Sequence, residues 1–238
     1  MTITSHHNRQ LKEIRKLRQR RRWRERSGRF VAEGEDLLFA ADAAGWRAVE
    51  RYCAAGSLLP GVEVDPGVLA SASGLGSGTR TLAVYEERWA ELPVGPLCVY
   101  LHGVHDPGNV GAVLRSAQAF GASSVALGPG SADPFGPKAV RASMGAVFAT
   151  PLSRVRDLDA LPGVKVALLA GAGRPLPTID APVGGALTLL IGSEREGLPE
   201  AIVAGADQVV RIPIRIESLN AAMAATVALY EVTRMAAP

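Results

Sequence analysis

The chain has 238 residues, of which 47% are hydrophobic and 21% are charged. This length suits one large domain or two modest ones, and the composition is ordinary for a soluble globular protein. No uninterrupted apolar stretch is long enough to cross a bilayer, and the polar, basic N-terminus is unlike a secretory signal. Cys53 and Cys98 lack metal-ligand spacing, which favours two buried, reduced thiols in a cytoplasmic protein.

The net charge of +3 conceals a strongly basic N-terminus. Residues 1–30 carry eleven Lys and Arg against two Glu, a local charge of +9, so the other 208 residues sum to −6. Such segregation favours a nucleic acid as partner over a merely solvated helix face. Trp23 stands among four arginines, and together they can bind phosphates and stack on a base. These candidate RNA-binding residues are Arg20, Arg21, Arg22 and Arg24.

The first 86 residues predict a small α/β domain that includes the basic N-terminal arm. A basic helix is predicted over 8–22, with Leu11, Ile14 and Leu17 as its apolar stripe. Strands are predicted at 29–34, 49–55 and 81–85 and a second helix at 35–44. Residues 61–74 predict a strand and a short helix. Residues 87–96 contain two prolines, which predicts a linker.

Residues 97–238 predict a second domain in which apolar strands alternate with helices. Strands are predicted at 97–104, 123–127, 164–169, 187–191 and 208–214, and helices at 110–120, 138–148 and 219–235. Apolar strands of this kind, separated by helices, indicate a parallel sheet that is covered on both faces.

Three polar segments follow the ends of apolar strands, at 109–115, 192–198 and 212–220. Because ligands of open α/β sheets bind at the carboxyl ends of the strands, we expect these segments to surround one crevice. Gly192 directly follows the predicted strand 187–191 and permits a tight turn there, and Glu194 lies two residues further on. Each segment alone has an ordinary structural explanation, but the three in this order indicate an enzyme site.

Several residues of these segments have a predictable structural role. Asn109 is placed to cap the helix that follows it, and Ser218 to cap the last helix. Gly111 permits a close approach of another backbone. Arg115 stands in an otherwise apolar helix, where an unpaired buried guanidinium would be costly. We therefore expect Arg115 to point into the crevice or towards a partner chain.

At these residues the chain resembles the SpoU/TrmH-like branch of the SPOUT RNA 2′-O-ribose methyltransferases. The resemblance covers 97–235 closely, includes the segment 137–146, and extends more loosely to the first 85 residues, which resemble the ribosomal-protein L30e type of substrate-binding domain. It implies an α/β fold whose C-terminal parallel-sheet domain contains a trefoil knot. It also implies S-adenosylmethionine as cofactor, RNA, more readily ribosomal than transfer RNA, as substrate, and a homodimer with no metal and no membrane partner.

The resemblance also implies roles for single residues. Arg115 would contact the attacking ribose oxygen, and stabilising an alkoxide suits it better than acting as a base, since arginine deprotonates only above about pH 12. Asn109 and Asn220 would orient this arginine and the substrate, Glu194 would fix its direction, and Ser218 would shape the pocket. The cofactor would be held by Leu169, Ala170, Gly171, Gly192, Ile212 and Leu219. The loop 215–217 has three residues where family members usually have five.

Other classes of protein stay open at this point. One is a catalytically inactive RNA-binding or ribosome-assembly protein on the same fold, against which Asn109, Arg115, Glu194 and Asn220 all argue. Another is a related enzyme that methylates a base, whose motifs would differ at Asn109 and Arg115. A dinucleotide-binding dehydrogenase is disfavoured because no GxGxxG opens a helix after the first strand. The four histidines are too scattered for a metal site or a triad.

Overall fold

The N-terminal part of the chain forms a four-stranded sheet with helices in the computed structural model, which describes residues 2–74, 78–180 and 185–236. Its elements are α1 (Arg9–Gln19), α2 (Arg21–Ser27), β1 (Arg29–Glu33), α3 (Glu35–Ala43), β2 (Glu50–Ala54), β3 (Val62–Val64), α4 (Pro66–Ala72) and β4 (Thr81–Glu86). The strand order is β1-β4-β2-β3, antiparallel except for the parallel pair β2–β3. The predicted stripe Leu11, Ile14 and Leu17 is buried in the core of this unit.

The single helix predicted over 8–22 is in fact two helices. Arg20 has an extended backbone, with φ −124° and ψ 109°, so α1 ends before it and α2 begins after it. This break lets α2 fold back, and Arg24 Nη1 donates a hydrogen bond of 2.6 Å to the carbonyl of Leu17. Arg24 thereby holds α2 against the C-terminal end of α1.

The C-terminal part forms a seven-stranded, all-parallel sheet. Its elements are β5 (Leu97–Leu101), α5 (Pro107–Ala119), β6 (Ser124–Leu127), α6 (Pro137–Ala142), α7 (Ala146–Ala149), β7 (Leu152–Arg154), β8 (Val164–Leu168), β9 (Arg174–Pro175), β10 (Leu187–Ile191), α8 (Glu200–Ala204), β11 (Gln208–Arg211) and α9 (Ala221–Ala236). The strand order is β7-β6-β5-β10-β8-β11-β9. The predicted α/β fold is confirmed, whereas the trefoil knot stays a prediction.

Several boundaries differ from the predicted ones. The helix predicted over 138–148 is interrupted because Met144 and Gly145 adopt left-handed backbones, with φ 48° and 96°. The strand predicted over 208–214 ends at Arg211, since Pro213 has no amide to donate to a neighbouring strand. The short elements β7, β9 and α8 were not predicted, because they contain too few residues to show a periodic pattern. Among the described helices, none is long and apolar enough to span a membrane.

An aromatic cluster joins the two sheets into one hydrophobic core. The rings of Phe30 and Phe135 have centroids 4.7 Å apart, and the indole nitrogen of Trp46 donates a hydrogen bond of 2.8 Å to the carbonyl of Phe148. The segment predicted as a linker, 87–96, packs on the same core, where Trp89 lies edge-on to Phe135 at 5.2 Å. The linker boundaries stay a prediction, but this segment is not free of contacts.

Candidate active site

The loops that follow β8, β10 and β11 enclose a pocket of about 410 Å³, a volume typical of small-molecule sites. These strands and β5 are parallel neighbours, so their carboxyl ends meet at one edge of the sheet. Of the six residues predicted to hold the cofactor, five line the pocket: Leu169, Ala170, Gly192, Ile212 and Leu219. Gly171 is not among the lining residues and is exposed in the turn, with φ 72°.

Other lining residues were not assigned to the pocket by sequence reasoning. They are Leu168, Ile191, Ser193, Arg195, Glu196, Gly197, Leu198, Ile214, Glu217, Ala221 and Ala224. All of them lie in, or close to, the strand ends and polar segments identified in the sequence. Their position next to these segments was therefore the feature that could have assigned them to the pocket. The short loop 215–217 still reaches the site, because Glu217 and Ser218 both line the pocket.

The loop after β10 is a tight turn that requires glycine at position 192. Ser193 and Gly197 exchange two backbone hydrogen bonds of 3.1 Å, and the Glu196 amide donates to Ser193 Oγ at 3.1 Å. A Cβ atom on Gly192 would overlap the carbonyl group of Gly197 and lie 2.5 Å from the amide nitrogen of Leu198. The turn therefore holds residues 193–197 against the pocket with little freedom.

Three of the predicted catalytic side chains form one hydrogen-bonded chain. Asn109 Nδ2 donates to Glu194 Oε1, and Asn220 Nδ2 donates to Asn109 Oδ1 at 3.0 Å. Asn220 Oδ1 accepts from the backbone amides of Ala222 and Met223, at 2.9 and 3.3 Å. Both amide side chains thus use their oxygen and their nitrogen, which fixes their orientation. The chain links the first turn of α5, the loop after β10 and the start of α9.

Both capping predictions were wrong. Asp106 caps α5, because its Oδ1 accepts from the amides of Gly108 and Asn109 at 2.5 and 3.2 Å. Asn109 consequently lies in the first turn of α5, where its side chain is available to Glu194. Asn220 caps α9, which leaves Ser218 in the exposed loop as a wall of the pocket.

The cap of α5 is itself held by a cation. Lys138 Nζ lies 2.8 Å from Asp106 Oδ2, and this hydrogen bond lowers the pKa of Asp106 below its usual range. The carboxylate therefore stays ionised at the positive end of the helix that carries Asn109.

A histidine and a tyrosine lie close together at the end of β5. His102 Nδ1 lies 3.0 Å from the Tyr100 hydroxyl. Burial lowers the pKa of His102 and raises the pKa of Tyr100 to about 12.

Arg115 is not part of this hydrogen-bonded chain. Its side chain is exposed, and within the described part of the chain it has no hydrogen-bond or ion-pair partner. Glu194, which was expected to fix this arginine, is bound to Asn109 instead. The next residue, Ser116, has its Oγ 2.6 Å from Thr226 Oγ1 of α9. Arg115 therefore lies beside the contact of α5 with α9 and is free to meet another molecule.

The basic N-terminal segment contains two kinds of arginine. Arg20, Arg21 and Arg22 are exposed, as phosphate binding requires, and Arg21 forms an i,i+4 ion pair of 2.8 Å with Glu25. Arg24 is 6% exposed. Its guanidinium lies against Asp133 of the C-terminal domain, at 2.7 and 2.8 Å. The prediction that Arg24 binds RNA is contradicted, because the group is buried and already paired.

The aromatic ring of Trp23, which was predicted to stack on a base, has a cation and a carboxylate as neighbours. Lys16 Nζ lies 4.4 Å from the centre of the Trp23 ring, and the indole nitrogen donates to Glu13. One face of the ring is thus covered by a cation rather than open to a base. Within 2–74, 78–180 and 185–236, no group of three or more His, Cys, Asp or Glu side chains is arranged to hold a metal ion.

The chain matches two family models. Residues 96–230 match the SpoU rRNA Methylase family, and residues 8–91 match the MRM3-like substrate binding domain. Together these matches cover both sheets described above.

Individual proteins agree with these matches. An uncharacterized tRNA/rRNA methyltransferase of Mycobacterium tuberculosis is 35% identical over 218 residues, which cover 87% of this chain and 72% of that protein. The 23S rRNA (guanosine(2553)-2′-O)-methyltransferase RlmP of Bacillus subtilis is 36% identical over 141 residues, 55% of each chain. The aligned regions span only 32% and 55% of the lengths of two of the most similar curated relatives.

Solved structures extend the similarity to the whole fold. The AdoMet-bound rRNA methyltransferase from Sinorhizobium meliloti superposes with a TM-score of 0.89 at 31% identity, over 100% of this chain and 99% of that one. Because the family model covers more than half of the chain and the similarity to a solved structure spans all of it, the chain belongs to the SpoU rRNA methylase family.

Proposed function

We propose that this protein transfers the methyl group of S-adenosylmethionine to a ribose 2′-hydroxyl of ribosomal RNA in the cytoplasm. The observation that carries the proposal is the chain Glu194–Asn109–Asn220 at the edge of the 410 Å³ pocket. The names of two similar proteins support it, since one is described as an AdoMet-bound rRNA methyltransferase and the other as a 2′-O-methyltransferase of 23S rRNA.

The pocket has the chemistry that this cofactor requires. A purine ring needs apolar walls, which Leu169, Ile212 and Leu219 supply, and ribose hydroxyls need the backbone groups of a strand edge. A sulfonium cation is favoured beside negative charge, and Glu194 and Glu217 both line the pocket. The residues present therefore fit S-adenosylmethionine, and we assign the five lining residues named above to its binding.

When bound, S-adenosylmethionine would supply an activated methyl group: the ribose oxygen would bond to the methyl carbon as the sulfur–carbon bond breaks, and the hydroxyl proton would pass to solvent water. The protein contributes alignment of the hydroxyl and stabilisation of the charge on its oxygen. Asn109 and Asn220, each held by two or more hydrogen bonds, orient the ribose, and Glu194 holds Asn109 in place. Arg115 stabilises the oxygen at the boundary with a second copy, since no described residue of its own chain pairs with it.

We propose that the protein is a homodimer whose interface includes a surface of α9. The small alanines of α9, including Ala221, Ala222 and Ala225, are buried within the chain, so they do not face a second copy. The opposite face of the helix exposes an apolar stripe at helical spacing, Met223, Val227 and Tyr230, which are 63%, 39% and 54% exposed. Exposed apolar patches of this kind mark interfaces. We therefore assign the subunit boundary to this stripe.

A charge placed in the stripe is expected to separate the subunits. Light scattering should give about twice the chain mass of 24.9 kDa for the wild type and the single chain mass for Val227→Glu. Val62→Glu, at an equally exposed valine of the other domain, serves as control and should stay dimeric. A monomeric wild type at micromolar concentration would show that no such dimer exists.

The proposed substrate is tested by mapping 2′-O-methyl groups in ribosomal and transfer RNA from cells with and without the gene. We expect the loss of the gene to remove a methyl group from a ribose of ribosomal RNA. Loss of a methyl group from transfer RNA alone would contradict the assignment to ribosomal RNA, and an unchanged ribose map with a changed base map would contradict the reaction.

A further inference from the structure

We propose that Arg24 and Asp133 form a positioning pair that holds the basic arm, defined as residues 9–27, at a fixed distance from the methyl-transfer site. The pair thereby helps to select the ribose that enters the site. This inference rests on the proposed function. It concerns two residues that would bind neither the cofactor nor the RNA.

The contacts of Arg24 use almost the whole guanidinium. Nε and Nη2 lie 2.8 and 2.7 Å from Asp133 Oδ2, and Nη1 donates to the carbonyl of Leu17 at 2.6 Å. The two side chains are only 7% and 11% exposed. The other oxygen of Asp133 accepts the amide of Phe135 at 2.9 Å. A pair so well satisfied fixes the junction of α1 and α2 on the loop between β6 and α6.

A short series of packed groups leads from this loop to Asn109. Phe135 is buried against Phe30, and Gly136 is the N-cap residue of α6. Helix α6 packs closely on α5, because a Cβ on Gly111 would lie 2.7 Å from the Cβ of Ala142. Lys138 of α6 also holds Asp106, the cap of α5. The arm is therefore connected rigidly, through α6, to the first turn of the helix that carries Asn109.

The exposed arginines stand on the part of the arm that the pair immobilises. Arg20, Arg21 and Arg22 lie at the break between α1 and α2, within one helical turn of Arg24. A phosphate bound there is thus held at a set distance from the site, which restricts the riboses that can reach it. If the pair is lost, the same cations still bind phosphates and α1 stays anchored by its buried stripe, but α2 loses its direct link to the loop before α6 and the distance of these cations from the site varies more.

The test compares Arg24→Met, Asp133→Leu and the double variant with Arg22→Met, which removes an exposed cation of the arm. The substrate is ribosomal RNA isolated from cells that lack the gene. We expect Arg24→Met to lower the methylation rate at the natural ribose about tenfold and to raise the share of methyl groups at other riboses. The methylation rate of the double variant should be no lower than that of either single variant, because the same ion pair is lost in all three. The double variant also leaves no unpaired buried charge, so it remains informative if a single variant fails to fold.

The salt dependence of RNA binding separates positioning from contact. Arg22→Met should reduce the slope of log affinity against log salt by about 0.7, as expected for one lost phosphate contact on a single strand. Arg24→Met and the double variant should keep the wild-type slope. A reduced slope in Arg24→Met or the double variant would overturn the positioning role. The same conclusion would follow if these variants kept the wild-type rate and the wild-type choice of ribose and showed only a lower melting temperature. A wild-type protein that methylates no RNA would instead refute the proposed function itself.

Discussion

Arg115→Lys is expected to lower the rate of methyl transfer by about a hundredfold to a thousandfold, the usual cost of losing one group that stabilises a developing oxyanion. Lysine keeps the positive charge but lacks the planar fork that binds an oxygen and a phosphate together. Arg115 lies outside the residues that line the pocket, so the affinity for S-adenosylmethionine should change by no more than about threefold. Single-turnover kinetics and calorimetric titration of the cofactor measure the two effects separately.

Arg47→Lys provides the matched control, since Arg47 is exposed in the other domain. It should turn over like the wild type. If Arg115→Lys also turned over normally, Arg115 would have no part in the transfer step. If it lost cofactor affinity in parallel with rate, its role would be in shaping the pocket and not in stabilising the reacting oxygen.

Gly192→Ala is expected to lower the affinity for S-adenosylmethionine by about a hundredfold, because forcing a methyl group into a closely packed turn costs up to roughly 3 kcal/mol. The new Cβ would overlap the Gly197 carbonyl, so the turn 193–197 would have to open. That movement displaces Glu194 from both the pocket and Asn109. Calorimetric titration with the cofactor measures the effect directly.

Gly67→Ala is a suitable control for this substitution. Its Cβ would lie 3.3 Å from a side-chain oxygen of Asp65, a tight contact that a small shift relieves, in a helix remote from the pocket. This variant should bind the cofactor as the wild type does. Wild-type affinity in Gly192→Ala would show that the turn after β10 does not shape the cofactor site.

The position of the site was predictable because it depends on where buried strands end. Strands of four or five apolar residues, such as β5 and β10, are recognisable in the sequence, and in a parallel sheet their carboxyl ends share one edge. The segments that contain Asn109, Glu194 and Asn220 are therefore expected around one crevice from the sequence alone. A trefoil knot cannot be predicted in this way, since periodicity says nothing about how a chain passes through itself.

The errors arose where contacts between distant residues decide the outcome. Arg24 looks like its neighbours in the sequence, but Asp133, which buries it, lies 109 residues away. In α9 the small alanines pack within the chain and the larger apolar residues are exposed, a division that composition alone does not indicate. The cap of α5 was misplaced because Asn109 and Asp106 are both good capping residues, and Pro107, suited to the first helical position, favours the earlier one.

The reaction itself is tested most directly by the chemical form of the methylated product. Purified protein is incubated with methyl-labelled S-adenosylmethionine and total RNA, and the RNA is then hydrolysed with alkali. Alkaline cleavage requires a free 2′-hydroxyl, so a methylated ribose protects its own phosphodiester bond. We expect the label in alkali-resistant dinucleotides, and much less of it with Arg115→Lys. Label found in mononucleotides with a methylated base would contradict ribose methylation, and an absence of label from every RNA would contradict the proposed activity.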